Sequence, residues 1–543
     1  MRLTKFEITN FKSFGENTQK IEFKPITLLY GPNSSGKSSI FHALHYFYEV
    51  LAYNNCDPGS THLSEGINLG GMNNLIYKHS FDKSIILRLD FEVPKYEDGP
   101  NTMLSNIYMF GWADDIDRIS GGILFETAGI ELHMRWSNIR KQAYVSKYVV
   151  FLNDCEFATI QANSDFRSVD LSFNYSHAIF DKNSYVDDGY EYTEELISLE
   201  DLIKDYIGES EWFPVDQKTG ALPKFGSLLQ LVTEDLDRDE GDESGEFAGR
   251  VKEKERIITF LSNVIVGSGE LLKDYLSKII HIGPLREIPP RNYEPDKTSH
   301  RTKWWKGLSA WDLLYLKEHS LTKKVNFWLE KLNSGYKIKK LTYEDYNHAI
   351  SITGFACLTP AEGLPDDAPV EIDEQQEEAL ELIESLFARQ NLLFLTDVKK
   401  EVNLKPEDVG VGISQIIPII VAATAHEGNV ALIEQPEIHL HPALQAELGD
   451  LFIQSALSEQ QNQFIIETHS EHLLLRIMRR IRETAEERIE EGIQAVKQED
   501  IMVAYVEPTE DSSIIREMPL NELGELVKAW PGGFFEEGLK EVF

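Results

Sequence analysis

Gly31-Pro32-Asn33-Ser34-Ser35-Gly36-Lys37-Ser38-Ser39 fits the pattern GxxxxGK[ST], and its surroundings decide how it is read. The apolar run Ile26-Thr27-Leu28-Leu29-Tyr30 leads in and the amphipathic stretch Ile40-Phe41-His42-Ala43-Leu44 leads out, which predicts strand, loop and helix. In such a loop Gly31 and Gly36 let backbone N–H groups converge on phosphates, Lys37 meets the phosphate charge and Ser38 ligates magnesium. Asn33, Ser34 and Ser39 fall within the same cradle. The expected ligand is a nucleoside triphosphate, ATP or GTP, with Mg2+.

The chain has 543 residues, more than one hydrophobic core usually serves, so two or more domains are expected. Cys56, Cys155 and Cys357 are too widely spaced for a metal or disulfide framework, which fits a reducing cytoplasm. No apolar run approaches the roughly 20 residues of a spanning helix and nothing resembles a signal peptide, so a soluble protein without a membrane partner is expected. A formal charge of −37 argues against gripping nucleic acid with the whole surface while leaving room for a local basic groove. Much of the acidic excess is concentrated at Glu234–Glu243, which reads as a solvated loop, and around Asp366–Glu384.

Alternation predicts strands at Leu3–Ile8 and Lys20–Phe23, with further strand-like runs at Ser84–Phe91, Gly122–Phe125 and Tyr144–Phe151. From Tyr192 to Ile280 the spacing turns helical, with Leu196, Leu199, Leu202 and Ile203 on one face and Leu271, Leu272, Tyr275 and Leu276 on another. After Leu380 the chain returns to α/β character through Asn391–Asp397, Val430–Ile433 and Phe464–Ile466. The expected division is 1–190 as a β-rich lobe with the loop, 191–280 as a helical insertion, 281–390 as a linker and basic region, and 391–543 as the completion of the nucleotide-binding sheet.

Val430-Ala431-Leu432-Ile433-Glu434 is a Walker B-like strand whose terminal carboxylate would stand at the carboxyl end of an open sheet, where it can hold magnesium. A second strand, Phe464-Ile465-Ile466, ends at Glu467-Thr468-His469-Ser470. There a neutral His469 can reach a γ-phosphate or orient water. His439 and His441 with Glu437 invite a metal reading, but their alternation fits an exposed loop equally well, and magnesium is the only metal expected. Asp408–Gln415 offers glycines and a serine ahead of an apolar stretch, Ile416–Ala423, that reads as a helix interrupted near Pro418.

A P-loop, a glycine-rich serine loop, a Walker B strand and a histidine after the next strand, in that order, resemble the ATP-binding cassette ATPases of the SMC, RecF and OLD-like group. The likeness is greatest to stand-alone bacterial AAA-type predicted ATPases. Phe6–Phe14 resembles the opening of those proteins and Trp530-Pro531-Gly532-Gly533-Phe534-Phe535 an ending of one subgroup. The resemblance implies an α/β P-loop head with mixed β-sheet lobes, ATP and Mg2+ as cofactors, and a head-to-tail dimer or higher even-numbered oligomer. In it, Glu434 closes the metal site, Gly412, Ser414 and Gln415 form the signature that completes the other subunit's site, and His469 is the switch histidine.

One departure stands out: where the family has a second carboxylate after the Walker B acid, this chain has Gln435. An amide can orient water but cannot take its proton, so slow hydrolysis is expected, with Glu437 the nearest alternative base. The usual Gln-loop has only Asn73 or Asn74 as a loose counterpart. Ile282–Tyr293 with His300, Arg301, Lys303, Trp304, Trp305 and Lys306 forms a basic, aromatic-bearing segment. It is open to three readings: a nucleic-acid grip, a partner interface, or intrachain salt bridges around buried tryptophans. The toprim nuclease motif of the OLD family is not found after His469. The resemblance therefore implies an ATPase subunit of a two-component antiphage defence system of the Septu, Gabija or PARIS kind, controlling a separate nuclease or toxin, with nucleic acid reached through the complex. A RecF-like ATPase acting directly on DNA and a structural protein with little turnover are the alternatives.

Overall fold

The computed structural model describes residues 1–93, 125–180, 198–233, 246–291, 293–297, 301–316, 319–341 and 392–535. Both acidic runs, His300, Cys357 and most of the expected strand at 122–125 lie outside them. The fold is mixed α/β, with a P-loop ATPase sheet, β-sheet lobes and helical insertions.

The nucleotide-binding sheet has six strands in the order Ile280–Ile282, Val430–Glu434, Gln463–Glu467, Ile26–Tyr30, Ile501–Pro508 and Ser513–Glu517. The first five run parallel and the last antiparallel. Their side chains alternate between two hydrophobic clusters. Ile26, Leu28 and Tyr30 face one and Leu29 the other; Ala431 and Ile433 oppose Val430 and Leu432; Phe464 and Ile466 oppose Ile465. Burial on both faces is why these strands read as unbroken apolar runs.

On one side the P-loop helix, Lys37–Tyr53, and a long helix, Glu246–Leu276, share a cluster with an eight-stranded antiparallel sheet. That sheet runs Gln19–Glu22, Leu3–Thr9, Ile85–Glu92, Thr127–Ser137, Gln142–Leu152, Cys155–Ala162, Val169–Phe173 and Phe213–Pro214. The Leu152–Cys155 hairpin turns on Asn153 and Asp154, both at positive φ, as a two-residue type I′ turn requires. Within the segment read as a helical insertion, helices Leu199–Tyr206 and Glu246–Leu276 form, but Phe213–Pro214 between them adds the last strand of this sheet.

On the other side pack helices Leu308–Leu316, His319–Lys331, Val411–Thr424, Pro442–Leu457 and Glu471–Ala485. The Val411–Thr424 helix continues through Pro418 instead of breaking there. Its flanks are apolar and buried from Ser414 onward, so tertiary packing outweighs the missing backbone donor. A small antiparallel sheet of Tyr336–Leu341, Leu392–Asp397 and Val402–Leu404 adjoins the His319–Lys331 helix. Among the described residues no helix is long and apolar enough to cross a membrane.

Candidate nucleotide site

The parallel register puts the P-loop and the carboxylates Glu434 and Glu467 at one edge, because Glu434 pairs with Glu467 and Glu467 with Leu29, two residues before the loop. Gly31 and Gly36 adopt φ of 146° and 104°, and a Cβ on either would collide with the Val506 carbonyl or the Ser13 hydroxyl. Only glycine serves at these two positions. The loop opens on a cavity of about 300 Å³ that brings together Asn33, Ser34, Gly36, Lys37, Ser38 and Ser39 with Lys12, Ser13 and Glu467. Three larger cavities formed by described residues lie away from the P-loop and the carboxyl edge of the parallel strands.

Lys37 is buried and folds back on its own loop, donating to the carbonyls of Gly31 and Pro32 at 2.9 Å each. Ser38 Oγ donates to Glu467 Oε2 at 2.8 Å, and Lys37 Nζ lies 3.9 Å from Glu467 Oε1. Burial pushes the Glu467 carboxyl up, and the like charge of Glu434 adds to the rise. Burial also lowers Lys37 and brings Lys12, the second ammonium at the cavity, down to about 8. Motif reading assigns no role to Glu467 or Lys12; a carboxylate ending the strand beside Walker B is the one sequence sign that points to Glu467.

Glu437 accepts from Thr468 Oγ1 at 2.8 Å and from the His469 N–H at 2.6 Å, and burial raises its carboxyl. His469 is held below the usual imidazole range by burial and then by Lys37, so its ring is neutral near pH 7. Its buried Nε2 has no hydrogen-bond partner among the described residues. Gln435 sits at φ 45°, its N–H bonded to the Glu467 carbonyl at 2.7 Å.

Beneath this edge Arg286 Nη2 donates to the carbonyls of Glu434 and Gln435 at 2.8 and 3.1 Å, and burial brings its guanidinium down to about 10. Gln415 braces it, donating to the Arg286 carbonyl at 2.5 Å and accepting from its N–H at 3.1 Å. Ser414 is fully buried and donates to the Pro406 carbonyl at 3.3 Å. Within this chain, then, Ser414 and Gln415 point into their own fold, not toward another subunit. The helix start that faces solvent is Gly410-Val411, with Val411 49 % exposed. Gly412 is fixed by close packing, since a Cβ there would stand 2.8 Å from the His439 carbonyl.

A buried polar chain leads away from Glu434. His281 Nε2 is 3.3 Å from Glu434 Oε1, His281 Nδ1 is 2.7 Å from His45 Nε2, and His45 Nδ1 is 3.3 Å from Thr61 Oγ1. Thr61 donates to Glu49 at 2.9 Å. Because a carboxylate only accepts, the Thr61 proton is committed there, which makes His45 Nδ1 a donor and its Nε2 the acceptor of the His281 Nδ1 proton.

The other expectations resolve into structural roles. His439 is exposed at φ 63°, His441 Nδ1 caps the Pro442–Leu457 helix, and no metal-holding group of three or more His, Cys, Asp or Glu occurs among the described residues. Neither Asn73 nor Asn74 lines the P-loop cavity. In the segment read as basic, Lys303 pairs with Asp296 at 3.0 Å, Lys306 with Glu287 at 2.8 Å and Arg291 with Asp408 at 2.8 Å, while Trp304 is buried. These contacts are those of the third reading, intrachain salt bridges around a buried tryptophan.

The residues present fit a magnesium–triphosphate. Ser38 Oγ and Glu467 Oε2 are separated by about the edge of an octahedron of oxygens around Mg2+, roughly 2.9 Å. Lys37 reaches only Glu467, whose carboxyl is raised by burial and by the charges of Glu434 and Glu437, and a divalent cation beside Ser38 would relieve that repulsion.

Residues 1–218 and 305–474 match the family model of the AAA ATPase domain. A comparison with curated proteins found no match. Among solved structures, the Smc head bound to the C-winged helix domain of ScpA aligns over 96 % of this chain and 99 % of its own at 12 % identity, with a TM-score of 0.38. The SMC head domain from Thermotoga maritima aligns over 96 % and 100 % at 11 % identity and 0.35. The Smc head domain with an extended coiled coil, bound to the C-terminal domain of ScpA from Pyrococcus furiosus, aligns over 99 % and 98 % at 11 % identity and 0.37. Likenesses this weak carry no argument; the family match covers well over half of the chain, which belongs to the AAA ATPase domain family.

Proposed function

We propose that the protein is a slow Mg2+-dependent ATPase working as a switch. The observation that carries this reading is the Lys37–Ser38–Glu467 contact at the mouth of the P-loop, beside Glu434. Lys37 would exchange two backbone carbonyls for phosphate oxygens, and Ser38, Glu434 and Glu467 would hold the cation. Magnesium, when bound, neutralises charge developing on the transferred phosphate. His469 offers the unpartnered Nε2 to the γ-phosphate or the attacking water. Gln435 orients that water, and Glu437, whose raised carboxyl suits a proton acceptor, takes its proton.

Phosphate release should therefore be lost in Lys37→Ala, together with tight ATP binding. It should fall about 100-fold or more in Glu437→Gln and rise in Gln435→Glu. Unchanged ATP affinity in Lys37→Ala sinks the assignment.

For assembly, two copies close head to tail over ATP, meeting the exposed Gly410-Val411 helix start. Added atoms at Gly410 meet open space within one chain, so Gly410→Arg should block ATP-driven dimers without unfolding the monomer. Native mass measurement in saturating ATP reads this directly. In this proposal spans 1–190 and 391–543 supply most of the head, and strands Phe213–Pro214 and Ile280–Ile282 with helix Glu246–Leu276 complete its sheets and core.

Two roles for the switch are distinguishable. In one, it governs a companion nuclease or toxin in bacterial antiviral defence, and a stoichiometric effector should co-purify from native cells. In the other, it acts directly on nucleic acid, as RecF-like ATPases do. A lysine-rich surface on the His319–Lys331 helix favours direct action.

A further inference from the structure

The His319–Lys331 helix and the Tyr336–Leu341 strand invert the charge of the rest of the chain. Residues 319–341 carry six lysines and one acidic residue in a protein of net charge −37. On the helix Lys323, Lys324 and Phe327 are exposed at the i, i+1 and i+4 positions of one solvent face, and Phe327 is 58 % exposed. Lys331 Nζ lies 5.8 Å from the centre of the Phe327 ring. On the strand Lys337 and Lys339 point outward on either side of the buried Ile338. Asn326 binds the Ile338 backbone at 2.6 and 2.8 Å and Lys337 reaches Glu330 at 3.2 Å, so the two lysine rows adjoin. Among the described residues Lys323, Lys324 and Lys339 have no ion-pair partner. Lys323, Lys324, Phe327 and Trp328 also line a neighbouring cavity of about 650 Å³, to which Glu427 and Glu459 contribute as well.

We propose that this face holds a single strand of nucleic acid, with its phosphates on Lys323, Lys324, Lys331, Lys337 and Lys339 and a base stacked on Phe327. The proposal rests on the reading in which the switch acts directly on nucleic acid. Lysines supply sequence-independent phosphate contacts, and an exposed aromatic ring among them is a stacking platform for any base. An acidic peptide would satisfy the lysines but would need its own apolar side chain at the position of Phe327, whereas every nucleotide carries a ring that can stack there, which favours the nucleic acid.

The test is fluorescence anisotropy of the full chain with a labelled oligo-dT or oligo-U of about 20 nucleotides, long enough to cross one such groove. Five phosphate contacts predict a slope of log affinity on log salt near −3.5, or about a 100-fold loss between roughly 50 and 200 mM. Lys323→Glu with Lys324→Glu should flatten the slope by about 1.4 and weaken binding at low salt. Phe327→Ala should weaken it about 5-fold or more at every salt concentration while leaving the slope unchanged. All the altered side chains are exposed, and circular dichroism checks that the variants fold. No binding of the oligonucleotides by the wild type in either the ATP-free or the ATP-bound form overturns the proposal, and the direct-action reading falls as well when gapped duplex DNA also fails to bind. Binding that survives the lysine reversals overturns this surface alone, leaving direct action through another face. Polyglutamate that binds as tightly as the oligonucleotides, with no effect of Phe327→Ala, overturns it in favour of an acidic protein partner.

Discussion

Two ionic clusters in this molecule are built to opposite plans. In the eight-stranded sheet Lys5 and Arg88 meet Asp90 and Asp154: Lys5 Nζ lies 2.8 Å from Asp90, Arg88 Nε donates to Asp90 at 2.8 Å, and both cations reach Asp154. Burial opposes the charge on Lys5 and Arg88, yet the carboxylates overcome it and hold both cations above their usual ranges. The hydrogen bond from Lys5 holds Asp154 below its own. At the nucleotide site the directions reverse. Burial pushes Lys37 and His469 down and Glu437 and Glu467 up, with Glu434 adding repulsion at Glu467. The first cluster is complete within the chain and stabilises the fold. In the second each of these groups is held against its charged form, and a ligand supplying both phosphate and a divalent cation relieves it.

The largest effect that would break this contrast is on folding. Asp90→Ala leaves the buried Lys5 and Arg88 with the exposed Asp154 as their shared partner and should cost about 1–3 kcal/mol in urea unfolding. The folded fraction should still bind ATP, because the cluster lies outside the P-loop cavity. A loss below about 1 kcal/mol would show that the first cluster is no more than a surface network.

Next comes the support of Glu434. His281→Ala removes the imidazole that faces this carboxylate and leaves His45 Nε2 without its donor. His281 Nε2 makes no hydrogen bond among the described residues, so the ring meets Glu434 as a packing contact; if that contact positions the carboxylate, Mg2+ affinity in the ATP complex should fall about 10-fold or more. The affinity for ATP in EDTA should hold, and this split separates positioning from general damage to the site. Equal loss with and without magnesium would assign the polar chain to packing alone.

A smaller effect sharpens the comparison through pH. Glu437 and Glu467 have folded values raised above the unfolded value of about 4.3, so the folded state binds more protons than the unfolded one in that window. Their contribution to the stability of the nucleotide-free protein is lost as pH rises from about 4.3 through the raised folded values. Asp154, with a lowered value, contributes stability that is full above about 3.9 and is lost as pH falls through its folded value. Thermal melts should therefore show Glu437→Gln with Glu467→Gln gaining on the wild type as pH increases toward neutrality. A gain that shrinks as pH rises would contradict the upward shift of these two carboxyls.

Much of the nucleotide sheet was legible because both faces of its strands are buried, which leaves unbroken apolar runs at Ile26–Tyr30, Val430–Ile433 and Phe464–Ile466. The P-loop was legible because two glycines are demanded by backbone geometry. What the sequence hid depends on which way a side chain points after packing. Ser414 and Gln415 have the composition of a signature loop, but the helix turns them inward, onto Pro406 and Arg286. Arg286 stands in a basic segment and yet is buried under the Walker B strand. Pro418 resembles a helix break but is carried through by apolar packing on its flanks. The lysine face was masked by the acidic balance of the whole chain, and it emerges only when a helix and a strand are brought side by side. Glu467 took on a role only when the parallel register set it beside Ser38.

The central claim is that the crowded carboxylates at the strand ends exist to receive magnesium with ATP. Calorimetric titration of ATP into the wild type and Glu467→Gln, each with Mg2+ and with EDTA, tests it most directly. The wild type should bind ATP about 10-fold or more tightly with the cation, and Glu467→Gln should lose most of that gain while keeping its affinity in EDTA. The same magnesium enhancement in both proteins, or none in the wild type, would contradict the account.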